Sequence, residues 1–124
     1  MQISKQPQKY DTMHVIRRKT KAGEERMYNY KLFRVIGPDG NVTTVSMDPI
    51  EHVEVRARYK VDQRKMADTV RAAARHLIET KALREGHTFS SQVLAVAVRM
   101  LEAERMGVSF TDFEHARANP DAWQ

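Results

Sequence analysis

The spacing of hydrophobic positions changes rhythm about midway along the chain. Up to residue 61 apolar and polar side chains tend to alternate, and beyond it apolar positions recur every three or four residues. The clearest alternation is in residues 52–61, HVEVRARYKV, where Val53, Val55, Ala57, Tyr59 and Val61 interleave with His52, Glu54, Arg56, Arg58 and Lys60. A period of two predicts a strand with one buried and one wet face. On its wet face Arg56 and Arg58 would stand about 7 Å apart, given ~3.3 Å of rise per residue. A helical reading competes for residues 50–61, with Asp48 as N-cap, Pro49 at N1, and Ile50, Val53 and Ala57 on one face. The strand is preferred because that helical face would leave Val55 and Tyr59 on its wrong side.

Upstream, residues 13–19 (MHVIRRK) and 26–36 (RMYNYKLFRVI) read as strands, the second dense in aromatic and branched residues. Residues 20–25 supply a turn between them. Gly37-Pro38-Asp39-Gly40 predicts a hairpin, since proline fixes φ and Asp-Gly tolerates positive φ. Residues 41–47, NVTTVSM, return as its second strand, and Asp48-Pro49 ends the pairing because proline lacks an amide donor.

Downstream, Asp62 caps a helix over residues 63–80. Met66, Val70, Ala73, Ala74, Leu77 and Ile78 form its apolar stripe, and Arg64, Asp68, Arg71 and Arg75 a polar one. The polar stripe reads as a solvated face with internal ion pairs, with phosphate contact the other use for its arginines. Gly86 sits in the connection, and Ser90 caps a second helix over residues 91–106. Residues 93–98 with Met100 and Leu101 are apolar on nearly every side, so this helix must be buried, in the core or against a second copy. Gly107 stops it. Thr111 to Glu114 has the T-x-x-E capping-box spacing and opens a short helix to about Ala118.

These elements make one domain over residues 13–118, a β half (13–61) and a helical half (62–118), between a flexible arm (1–12) and a C-terminal tail (119–124). The chain has 124 residues, and the net charge of +5 is unevenly placed. Residues 1–60 hold 12 Lys+Arg against 7 Asp+Glu, whereas residues 61–124 hold 9 of each. All the excess positive charge is therefore in the β half, as a footprint for phosphate would be. No segment has the roughly 20 apolar residues that cross a bilayer, and residues 1–12 lack a signal-peptide apolar run, so a cytoplasmic protein without a membrane partner is expected.

The residues for common chemistries are missing. There is no cysteine, no HExxH, and no two of the five histidines lie three or four apart. Ser90 and Ser91 lack the flanking glycines of a nucleophile elbow, and no phosphate-cradling glycine loop opens a helix. The expectation is a non-enzymatic protein with no cofactor and no metal. What remains is basic: Arg17, Arg18, Lys19, Lys21, Arg26, Lys31 and Arg34 gather on the first strands, interleaved with Tyr28, Tyr30 and Phe33. Such cations neutralise phosphates; the aromatics serve as core or as stacking surfaces for bases.

Residues 52–106 resemble ribbon-helix-helix DNA-binding proteins: an alternating strand (HVEVRARYKV), a helix, then a glycine-containing turn with hydroxyls (EGHTFSS) that opens a second helix. The resemblance implies a dimer whose paired strands lie in the major groove. Glu54, Arg56 and Arg58 would then read bases, and the amides near Ser90 and Ser91 would hold a phosphate. An alternative register puts the ribbon at residues 41–47, with Asp48-Pro49 opening the first helix and Asp62 the second.

The chain is thus expected to be α+β, an N-terminal antiparallel β-meander of three or four strands followed by two main helices and a short C-terminal helix. The expected function is that of a homodimeric DNA-binding protein, a regulator or DNA-processing accessory factor, favouring duplex over single-stranded nucleic acid. The other reading is a protein–protein adapter that uses the apolar helix 91–106 and the C-terminal tail.

Overall fold

The computed structural model describes residues 13–19 and 25–119, with side chains from residue 30 onward. Lys21, the arm of residues 1–12 and all of the expected tail beyond Asn119 lie outside the described residues. The fold is α+β, with an antiparallel sheet followed by four helices.

Strands β1 (Met13–Lys19), β2 (Glu25–Ile36) and β3 (Val42–Met47) run in the order β1-β2-β3. They do not lie side by side as a meander would. β1 pairs with the first part of β2, from Lys19↔Glu25 to Met13↔Lys31. β3 pairs with the second part, from Lys31↔Met47 to Ile36↔Val42. Lys31 is the one register position common to both ladders, so elsewhere the sheet is a two-stranded ribbon.

The hairpin joining β2 to β3 forms at the turn the sequence marks. Gly37 donates to the Asn41 carbonyl at 2.8 Å, Gly40 donates to the Gly37 carbonyl at 3.0 Å, and Gly40 takes φ +84°. Asp39 accepts from the Asn41 amide at 3.0 Å and from its side-chain nitrogen at 3.2 Å. The backbone bond from Asn41 is the main reason the Asp39 carboxyl lies below its usual range. Alternation puts Phe33, Val35, Val45 and Met47 inside and leaves Arg34, Thr44 and Ser46 outside.

Residues 52–61 are not a strand. They fall in helix α1 (Pro49–Tyr59) and the turn after it. The Asp48 carboxylate accepts from the amides of Ile50 (2.8 Å) and Glu51 (3.1 Å), and Pro49 fills a first-turn position that needs no amide donor. His52 and Val55 are buried and Tyr59 is half-buried, a narrow stripe at i, i+3 and i+7. Val53 stays 59% exposed and Ala57 is exposed, so the alternation depends on apolar residues the helix leaves wet. Lys60 ends it in the left-handed region at φ 56°. The His52 ring then stands 5.9 Å from Phe33, tying α1 to the inner face of the sheet.

Helix α2 (Gln63–Glu79) matches its predicted span and cap, with Asp62 accepting from the Lys65 amide at 2.8 Å. Met66, Val70, Ala73, Ala74 and Leu77 are buried as its stripe requires. Helix α3 (Phe89–Met106) is capped by Thr88 and not by Ser90, and helix α4 (Phe110–Ala118) by Ser109 and not by Thr111. Gly107 closes α3 at φ +76°. On α3, Val93, Val96, Ala97 and Leu101 are buried in one cluster with Phe33, Val45 and Met47 of the sheet and Met66, Val70 and Leu77 of α2. Leu94, Val98 and Met100 of α3 are half-buried against the same cluster. Among the described residues, no helix is long and apolar enough to cross a membrane.

The Asp48 cap sets where β3 stops and α1 starts. Asp48→Ala is expected to lower stability by about 1 kcal/mol, read as a lower urea midpoint at unchanged slope. A midpoint equal to that of the parent chain would show that Pro49 alone fixes the start of α1.

Candidate nucleic-acid interface

Of the eleven residues singled out in the sequence, the six whose side chains are described, Lys31, Arg34, Arg56, Arg58, Ser90 and Ser91, lie on three separate elements. Arg17, Arg18 and Lys19 lie on β1, opposite Met27, Arg26 and Glu25 in the register. Lys31 shares the inward parity of Phe33 and Val35 and is 2% exposed. Its ammonium donates to Gln63 Oε1 at 3.1 Å and lies 6.0 Å from the centre of the Phe33 ring. Burial and these partners remove Lys31 from any phosphate-binding face. Arg34, three positions later, is exposed.

Arg56 and Arg58 are on α1, so the base-reading ribbon proposed for residues 52–61 does not form. Arg56 is half-buried, with Nε out of solvent. The Arg58 guanidinium lies 5.9 Å from the Tyr59 ring, and that of Arg105 lies 6.0 Å from it. The Tyr59 hydroxyl donates to Glu102 at 2.9 Å, and Arg105 donates to the same carboxylate. The bond from Arg105, then that from Tyr59, holds the Glu102 carboxyl below its usual range. Arg58 thus belongs to an arginine–tyrosine–glutamate corner joining α1 to α3.

Ser90 and Ser91 are also committed to structure. Ser90 Oγ accepts from the Ser46 amide at 3.2 Å, fastening the start of α3 to the outer edge of β3. Ser91 donates its hydroxyl to the Thr88 carbonyl at 3.0 Å, and its amide is taken by Thr88 Oγ1 at 3.1 Å.

The cations that do come together are on different elements. Arg34 of β2 and Arg71 and Arg75 of α2 line a cleft of about 430 Å³ between the hairpin and the helix. Its walls are apolar, with Ile36, Pro38, Val42 and Ile78, and among the described residues Glu79 is the one carboxylate lining it. Arg71 is held by Asp68 at 2.6 Å. Arg75 is exposed and forms no ion pair among the described residues. The sequence shows Arg71 and Arg75 four apart on a polar stripe, but not that Arg34 meets them, because that contact depends on how the hairpin lies on α2. Among the described residues, no group of three or more His, Asp or Glu side chains is placed to hold a metal ion.

The corner around Tyr59 has a pH signature. Burial first, then the bond to Glu102, raises the phenol above its usual pKa. The neutral phenol is thus favoured by folding, and this contribution is complete below about pH 10 and lost as pH rises through the raised value. A Tyr59→Phe chain is expected to lose this alkaline component, flattening the dependence of its urea midpoint on pH above ~10. A spectrophotometric titration should show one fewer late-titrating phenol; an unchanged titration would place the late phenol elsewhere.

No protein-family model matches the chain, and neither any curated protein nor any solved structure matches it.

Proposed function

We propose that this chain is a small non-enzymatic DNA-binding protein, of the regulator or accessory-factor kind, that grips the phosphate backbone with the Arg34, Arg71 and Arg75 cleft. The observation that carries this reading is that three arginines, from β2 and α2, line one cleft in which Glu79 is the one carboxylate among the described lining residues. Arginine forks match phosphate oxygens in pairs, and each contact releases condensed counterions. The chain's excess of positive charge, all of it within residues 1–60, adds long-range attraction toward the same polyanion.

Duplex DNA suits the cleft better than a single strand. Among the described residues its lining has no aromatic side chain on which an unstacked base would lie, so phosphate contact is what it offers. Arg56 and Arg58, which the sequence suggests for base readout, are on α1, and Arg58 is engaged in the Tyr59 corner. Binding through the cleft is accordingly expected to be weakly dependent on base sequence.

Anisotropy of a labelled duplex, titrated at several salt concentrations, tests this. Arg34→Ala with Arg75→Ala is expected to weaken binding at ~50 mM salt by about tenfold or more and to reduce the log–log salt slope by roughly 2. The same loss should be seen on duplexes of unrelated sequence. Parent-like affinity and slope in the double variant would overturn the assignment to this cleft, and absence of binding by the parent chain at that salt would overturn the function.

A further inference from the structure

A second cavity, of about 290 Å³, lies where the connection between α2 and α3 meets α3 and α4. It is lined by Arg84 and His87 of the connection, by Ser91, Gln92 and Arg99 of α3, and by Arg117 of α4. These residues are unrelated to the Arg34 cleft.

The connection is held in place by one side chain. Gln92 Oε1 accepts from the Arg84 amide at 2.8 Å, while Nε2 donates to the carbonyls of Arg84 at 3.1 Å, His87 at 3.1 Å and Thr88 at 3.4 Å. The carboxamide uses both ends on the loop, which fixes Arg84 and His87 at the cavity rim. Gln92 itself has no donor left for a ligand, and the Ser91 hydroxyl is committed to the Thr88 carbonyl.

Charge decides what would fit. Arg99 donates Nε and Nη2 to the two oxygens of Glu114 at 3.0 and 3.3 Å, and Arg117 Nε approaches the same carboxylate at 3.4 Å. Among the described residues, three guanidinium groups against one carboxylate leave a surplus of two positive charges. Arg84 is exposed and has no ion pair among the described residues. A phosphate monoester is close to a dianion at neutral pH, its second pKa being about 6, whereas a phosphodiester carries one charge. A cavity of about 290 Å³ admits a phosphoryl group with a small substituent.

We propose that this cavity is a binding site for a phosphate monoester dianion, held by the guanidinium groups of Arg84 and Arg117, with Glu114 and Arg99 orienting Arg117 and Gln92 orienting Arg84. The shared chemistry is the dianionic phosphoryl group, supplied either as free phosphate or as the end of a small phosphorylated compound.

The test is a titration of the full chain followed by its backbone amide resonances, in phosphate-free buffer with chloride holding ionic strength constant. Inorganic phosphate, methyl phosphate, a nucleoside 5′-monophosphate and dimethyl phosphate are the probes. Saturable shifts centred on residues 84–92 are expected with the first three, and binding about tenfold or more weaker with dimethyl phosphate. A stronger response to methyl phosphate or the nucleotide than to inorganic phosphate assigns the source to a phosphorylated compound, and the reverse order to the free ion. Arg84→Gln and Arg117→Gln are each expected to weaken the response by about tenfold; their spectra also report whether the fold is kept. Arg75→Gln, in the other cleft, should leave it unchanged. Shifts that never saturate, equal binding of dimethyl phosphate, or a parent-like response in well-folded Arg84→Gln would each overturn the proposal. None of these outcomes depends on whether the chain binds DNA.

Discussion

A helix with apolar side chains round most of its circumference has to be enclosed, and the architecture follows from enclosing α3. Its 18 residues carry Val93, Val96, Ala97 and Leu101 into the core, and no single partner covers that much surface. The hairpin covers one side with Val45 and Met47, α2 covers another with Met66, Val70 and Leu77, and α1 and α4 close the remainder. α2 is strongly amphipathic, so packing its apolar stripe inward turns its charges outward. The positions of the arginines are a by-product of that burial, and this is why they come together from separate elements.

The helical half is neutral overall, yet its charges are sorted. Glu102, Glu104 and Glu114 of α3 and α4 each meet a cation, Arg105, Lys65 and Arg99 respectively, and Asp68 meets Arg71. Exposed pairs of this kind add little stability, each in the range of about 0–1 kcal/mol. Their larger effect is on the surface they leave. With these acids engaged, Arg75 and Arg84 stand without an ion pair among the described residues, one at each cavity. Net charge over a segment therefore understates what a polyanion or a phosphate would meet.

Local grammar was readable wherever one residue type imposes one backbone geometry. The Gly37 to Gly40 turn, the Asp62 cap and the Gly107 stop could all be placed from the residues alone. The start caps of α3 and α4 were placed two residues late because hydroxyls occur in succession, at Thr88, Ser90 and Ser91 and again at Ser109 and Thr111. α1 was misread because it is short. Eleven residues need only His52, Val55 and Tyr59 inside, and the wet Val53 completed a false alternation. Lys31 was legible in principle, since its parity with Phe33 and Val35 points it inward. Neither cavity was legible, because each joins residues that only tertiary packing makes neighbours.

The bond from the Ser46 amide to Ser90 Oγ has a meaning beyond fastening two elements. An outer strand with a bare ladder of amides and carbonyls is a template onto which another extended chain can add, and so a route to aggregation. In β3 one rung of that ladder is already occupied by a helix side chain, and the helix itself stands alongside the strand. A single hydroxyl in the first turn of α3 thus takes up one amide that an added strand would need for pairing.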